Sequence, residues 1–180
     1  MQKMQSLSKW LKWIFAMYLI VLPVIQIVIW TYLDKQTVRT GATELLPYGV
    51  VLPPPITDVV ETKFVCFLIS MVPTAITMFV FYYLSRLFSL YSKGIIFEDS
   101  NVNLIKKIAY LLLIKAAIGP VFEAAITAAW TMGNPVGERV IMLTSQTINL
   151  NGIVTALIIL VAAWVMNEGQ KLKQEQLFTV

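Results

Sequence analysis

The chain has 180 residues, 58% hydrophobic and 13% charged, with a mean hydropathy of +0.74 and a formal charge of +4. That balance excludes an ordinary soluble domain and points to an integral membrane protein. The single cysteine, Cys66, excludes an intrachain disulfide framework and a thiol metal cluster, and the lack of histidine removes the usual zinc, haem and general-base residue.

The first long apolar run is "KWLKWIFAMYLIVLPVIQIVIWTYLDK". Its uncharged part, residues 13–33, is long enough to cross a hydrocarbon layer of roughly 30 Å at about 1.5 Å per residue. The basic start imitates a signal peptide. The apolar part is too long for one, however, and no small-x-small cleavage site precedes Asp34, so the run is expected to stay as an anchor. Trp10, Trp13, Trp30 and Tyr32 are expected at the membrane interfaces.

Residues 34–62 form a long outer connection containing "LPYGVVLPPPITD". The prolines at Pro53, Pro54 and Pro55 predict an extended, stiff segment, which suits a lid, a partner surface or a plain exterior cap.

The second span is expected over residues 64–84. Residues 85–92 can prolong its helix, Gly94 is a natural stop, and Asp99 or Ser100 can cap the helix that follows. The inner connection thus covers residues 85–107, with Ile95, Ile96 and Phe97 turned back toward the bilayer or the bundle.

The third span, residues 108–130, carries Lys115 and Glu123 inside an apolar run interrupted by Gly119 and Pro120. Eight residues separate the two charges, about 12 Å along a helix and about 80° around it, so they are poorly placed for one direct salt bridge. Lys115 can snorkel toward head groups. Glu123 has a shorter side chain and is expected to face the bundle interior, a polar pocket or a subunit seam. Glu123 suits proton or cation handling and Lys115 suits an anionic group. The plainer alternative satisfies both with Ser70, Thr74, Thr77, Gln26 or Asn151. Pro23, Pro73 and Pro120 sit near the middle of the first three spans, as hinges or as static shaping of a small bundle.

The fourth span, residues 148–165, has a polar start at Asn149, Asn151 and Gly152. Gly152, Thr155, Ala156, Ala162 and Ala163 favour close helix packing. The tail "NEGQKLKQEQLFTV" begins near Gly169, read as a helix breaker.

All four runs are continuous and lack the alternation of a barrel, so the expected fold is all-α. It is a polytopic membrane protein of four transmembrane helices forming one domain over residues 1–180. With both termini inside, the inner face holds Lys3, Lys9, Lys12, Arg86, Lys93, Lys106, Lys107, Lys171 and Lys173, while the outer face holds Lys35, Arg39, Lys63 and Arg139. That bias favours N-in/C-in and assigns the positive charge to topology and the lipid bilayer, not to direct nucleic-acid binding.

Two stretches carry a family likeness. Gly94, Phe97, Glu98, Asn101 and the Lys106-Lys107 pair form one pattern, and Gly169, Leu172, Glu175, Thr179 and Val180 form the other. They resemble the DUF2975 family of small bacterial integral membrane proteins of unknown function, whose members share a four-helix plan. The resemblance implies a bacterial inner membrane and relatives often encoded beside a small helix-turn-helix regulator. It implies no reaction. The chain departs from the family pattern in its long proline-rich outer loop and in Lys115 with Glu123.

The resulting expectation is a non-catalytic interaction, sensory or regulatory membrane protein, without cofactor or metal. Its partner surface joins Gly94, Phe97, Glu98, Asn101, Lys106 and Lys107 to Glu175, Thr179 and Val180. A homo-oligomer or a membrane protein partner is expected. Two other readings stay open: a small transporter or channel using Glu123 and Lys115, and resistance or immunity to a membrane-active compound. No catalytic constellation such as H-E-x-x-H, a triad or a carboxylate cluster supports an enzyme.

Overall fold

The structure is a computed structural model, and it describes residues 2–33, 46–53, 60–96, 98–144 and 148–178, with side chains described for residues 5–33, 46–53, 62–96, 98–144 and 148–171. Four helices carry it: α1 (Gln2–Tyr32), α2 (Val60–Ser92), α3 (Asp99–Trp130) and α4 (Leu150–Phe178). A single 3-10 turn, Pro47–Gly49, lies between α1 and α2. Each helix contains a stretch long and apolar enough to span a membrane: Gln5–Tyr32, Thr62–Ser92, Asp99–Trp130 and Leu150–Lys171. The protein is therefore a multi-pass membrane protein of all-α class.

The helices overrun the expected spans at most ends. A hydrocarbon-width count locates only the apolar part, whereas the helical ladder continues into polar flanks such as residues 85–92 and 99–107. Gly169 does not break α4, which continues to Phe178. An isolated glycine costs a helix only about 1 kcal/mol relative to alanine, and polar helix formers flank this one. Pro23, Pro73 and Pro120 all lie inside continuous helices. Each removes one N–H and leaves a carbonyl four residues earlier without its usual donor.

The described residues divide into two compact units. The first, the loop-bearing unit, comprises residues 21–76 and 115–150. Its core gathers Trp30, Leu46, Val50, Leu52, Phe122, Ile126 and Trp130, all buried. Trp30 is therefore a core residue and not an interfacial one: its indole N–H donates to Ser70 Oγ at 3.2 Å and its ring meets Trp130 at 6.0 Å. Trp10, Trp13 and Tyr32 remain exposed. Position near a helix end does not distinguish a belt tryptophan from one that turns inward to a hydrogen-bond partner.

The second, the hairpin unit, comprises residues 1–20, 77–114 and 151–180. Val80 and Leu87 of α2 pack with Ile108 of α3. Phe15 of α1 meets Phe81 and Phe88 of α2 at 5.8 and 5.4 Å, and Tyr18 stacks on Phe81 at 4.8 Å. Apolar burial against protein gains little over burial in lipid, so shape fit and hydrogen bonds decide which helix faces meet.

Candidate functional site

Glu123 opens the most polar region of the loop-bearing unit. It lies on α3 in one row with Thr127 and Thr131, four residues apart and hence on one helix face. After α3 ends at Trp130, the chain turns through residues 131–138 and doubles back along this row. Asn134 supports the turn, donating from Nδ2 to the Glu138 carbonyl at 3.2 Å and accepting from Arg139 Nε at 3.3 Å. Gly137, at φ 103°, occupies a left-handed conformation that favours glycine.

The returning segment then binds rung by rung. The Val140 N–H donates to Thr131 Oγ1 at 3.0 Å, and the Met142 N–H donates to Thr127 Oγ1 at 3.0 Å. Thr144 donates twice to the Glu123 carboxylate, from its N–H at 2.7 Å and from its hydroxyl at 2.8 Å. The spacing follows from elementary geometry. Four helical residues rise about 6 Å, and two extended residues rise about 6.6 Å, so every second strap N–H meets every fourth helix side chain. Ile141 and Leu143 alternate with the bonded positions and are exposed. The backbone N–H groups of the segment thus turn toward α3 while Ile141 and Leu143 turn away from it.

A second non-helical segment reaches the same unit. Leu46, Val50 and Leu52 are buried, whereas Val51 is exposed. The Tyr48 hydroxyl donates to the Lys115 carbonyl at 2.6 Å, and its ring meets Phe122 at 5.4 Å. Pro120 deprives the neighbouring Ala116 carbonyl of its helical donor, so the acceptor lies beside a turn already loosened. Tyr48 holds φ 64° and ψ 9°, a left-handed conformation that a tyrosine adopts only at a cost of roughly 1–3 kcal/mol. Further along, the Trp130 indole donates to the Pro53 carbonyl at 2.8 Å. Lys115 is fifteen residues before Trp130, about 22 Å along α3. In a multi-pass protein this places irregular backbone level with the helix interior, where it is tolerated because protein covers it.

The expected polar candidates distribute unevenly. Glu123 is buried, and its described carboxylate partner is Thr144 of the strap, which is not among the residues anticipated for it. Lys115 is half-buried and contributes its carbonyl to Tyr48. Gln26 is buried with Oε1 lacking a partner among the described residues, Thr74 donates back to the Ser70 carbonyl at 2.8 Å, and Thr77 is half-buried. Asn151 is exposed and accepts at its carbonyl from Thr155. Tyr48, Thr127, Thr131 and Thr144 escaped the sequence reading. The four-residue spacing of Glu123, Thr127 and Thr131 in an apolar helix was the available signal.

In the hairpin unit, α2 ends in a glycine-based stop. Gly94 holds φ 81°, its N–H donates to the Tyr91 carbonyl at 3.0 Å, and the Ile95 N–H donates to the Leu90 carbonyl at 3.1 Å. This is the paired bond pattern of a Schellman motif. The start of α3 differs from expectation. Glu98, not Asp99 or Ser100, is the residue whose carbonyl accepts the first helical bonds, from Asn101 and Val102. Asp99 lies in the first turn, where a negative charge suits the helix dipole. Asn101 is fully buried and donates from Nδ2 to the Ile95 carbonyl at 3.0 Å, tying α3 to the end of α2. Glu98 and Lys107 are exposed, Lys106 is half-buried, and Lys107 lies over the Tyr83 ring at 5.4 Å. Phe97, Thr179 and Val180 lie outside the described residues, as does the side chain of Glu175.

Residues 36–180 match the sequence model of a family described as a protein of unknown function (DUF2975). The chain belongs to the DUF2975 family. The match begins after α1 and takes in the strap and the hairpin alike. Neither a search of curated proteins nor a search of solved structures returned a match. In this DUF2975 chain, the site is therefore defined by its own geometry.

Proposed function

We propose that the protein is a non-catalytic interaction or regulatory component of a bacterial inner membrane, with both termini cytoplasmic and the α2–α3 hairpin as its docking surface. The observation that carries this reading is the build of the hairpin. Its tip is exposed at Lys93, Gly94, Glu98 and Asp99, yet fixed from beneath by the glycine stop and by Asn101. A surface ordered before binding costs less entropy on docking. The occupied carboxylate of Glu123 supports a structural role for that residue over a catalytic one.

Photo-crosslinking from position 98 in native membranes tests the reading. One discrete protein adduct is expected, weakened by Asn101→Ala and absent when the crosslinker sits at lipid-facing position 154. Equal labelling from both positions removes the docking surface. Accessibility labelling at Lys93 tests the orientation, since labelling from outside intact cells reverses it.

A transport reading draws on the burial of Glu123 together with Gln26 Oε1, which has no partner among the described residues of the same unit. It requires the strap to leave Glu123 during a cycle. Proteoliposome flux that is lost in Glu123→Gln while folding persists is its expected outcome, and unchanged flux removes it.

A further inference from the structure

The hairpin unit contains an open groove of about 360 Å³ between the end of α2 and the start of α3. Arg86 and Ser89 of α2 and Lys93 just past its end line one side, and Ser100, Asn103 and Lys107 line it from α3, with one leucine from each helix. On both helices the lining positions follow i, i+3, i+4 and i+7 spacing, the register in which packed helices normally interdigitate apolar side chains. Here each seam is cationic and hydroxyl- or amide-bearing. Among the described residues no carboxylate lines it. The nearest acids in sequence, Glu98 and Asp99, begin α3 outside that lining, and Glu168 of α4 pairs with Lys171 at 3.2 Å.

Two of the cations are held over aromatic rings. The Arg86 guanidinium lies 5.9 Å from the Tyr82 ring centroid, and Lys107 Nζ lies 5.4 Å from that of Tyr83. Such contacts restrict long side chains and leave their N–H donors free to turn toward the groove. Ser100, in the first turn of α3, adds the positive end of that helix. Three cations facing one cavity repel each other until an anion enters.

We propose that this groove is a binding site for a phosphate group. Arg86 supplies a planar donor pair, Lys93 and Lys107 supply charge, and Ser89, Ser100 and Asn103 supply neutral donors. The volume exceeds that of bare phosphate and accommodates a substituted one, such as a glycerophosphate head group. The flanking apolar surface suits a lipid. Phe79 lies within about 20° of Arg86 around α2, Ile114 lies within about 20° of Lys107 around α3, and both are exposed. Acyl chains can therefore continue along the same faces. This assignment goes beyond the docking reading and does not depend on a protein partner.

The test uses the full chain in neutral detergent, with thermal unfolding followed as phosphatidylglycerol, phosphatidylcholine or inorganic phosphate is added. Phosphatidylglycerol at about a hundredfold excess over its Kd is expected to raise the midpoint by roughly 5–11 °C, with phosphatidylcholine less effective. Arg86→Gln and Lys107→Gln should each weaken the effect about tenfold, while Lys9→Gln, outside the groove, leaves it unchanged. If Arg86→Gln lowers the ligand-free midpoint sharply, Lys93→Gln at the exposed end of the groove gives the same reading. Stabilisation by phosphatidylglycerol alone identifies a lipid head group, and stabilisation by inorganic phosphate as well identifies a free phosphate. The proposal is overturned if neither anion stabilises the protein, or if Lys9→Gln weakens binding as much as the groove variants do.

Discussion

Between residues 131 and 144 the loop-bearing unit sends non-helical backbone alongside a helix, and side chains of α3 receive its N–H groups. Between residues 93 and 98 the hairpin unit reverses direction within a few residues, and backbone carbonyls of α2 receive the N–H groups there. The first connection depends on side-chain chemistry distributed along a helix face. The second depends on one residue without a Cβ, reinforced by Asn101. Disruption should therefore be spread over several residues in the strap and concentrated at Gly94 in the hairpin.

The largest expected effect comes from Glu123→Ala, which removes the carboxylate that accepts from the Thr144 N–H and hydroxyl. Two lost hydrogen bonds at about 0.5–1.5 kcal/mol each should lower the unfolding midpoint and raise amide exchange across residues 140–144. Glu123→Gln keeps one acceptor oxygen and should lose less. An unchanged exchange pattern in the alanine variant would mean that the carboxylate does not hold the strap.

Gly94→Ala comes next. An added Cβ meets Gln5 Nε2 at 3.0 Å and must also adopt a left-handed φ of 81°, costing roughly 1–2 kcal/mol. Its signature should stay in the hairpin unit, with strap exchange unaltered. Exchange rising equally in both units would erase the contrast drawn between them.

Thr127→Val preserves side-chain shape and removes a single rung, the acceptor for Met142. Hydrogen bonds in membrane proteins average about 0.6 kcal/mol, so a local rise in Met142 exchange should be clearer than any midpoint shift. Thr127→Ser should restore protection. The smallest effect is expected from Tyr48→Phe, which keeps the ring against Phe122 and loses the bond to the Lys115 carbonyl. A loss of about 0.5 kcal/mol, the low end for one hydrogen bond, is expected, read as faster exchange near Val50. No change there would separate the 3-10 turn from α3.

The helices were legible because apolar length is written directly in the sequence, as in residues 13–33, and charge spacing already argued against a Lys115–Glu123 pair. The glycine stop at Gly94 was legible for the same local reason. The partner of Glu123 was not, because an extended strap follows no helical period and its match to α3 depends on a turn at residues 131–138. Thr144 is twenty-one residues from Glu123. Trp30 misled because both an interfacial and a buried tryptophan fit the end of an apolar run, and only Ser70 decides between them. The groove at Arg86 and Lys107 was hidden among charges that topology alone could explain.

The two non-helical segments of the loop-bearing unit also differ in when their partners exist. As the chain leaves the ribosome, the row on α3 is complete before the strap appears, and strap contacts reach back only 9 to 21 residues. The Tyr48 segment emerges before its anchors, which lie 67 and 77 residues later at Lys115 and Trp130. At about 5–20 residues per second, that wait lasts roughly 3–15 s. During it, the buried face of Leu46, Val50 and Leu52 has no α3 to cover it, which makes this interval the vulnerable one in the protein's biogenesis.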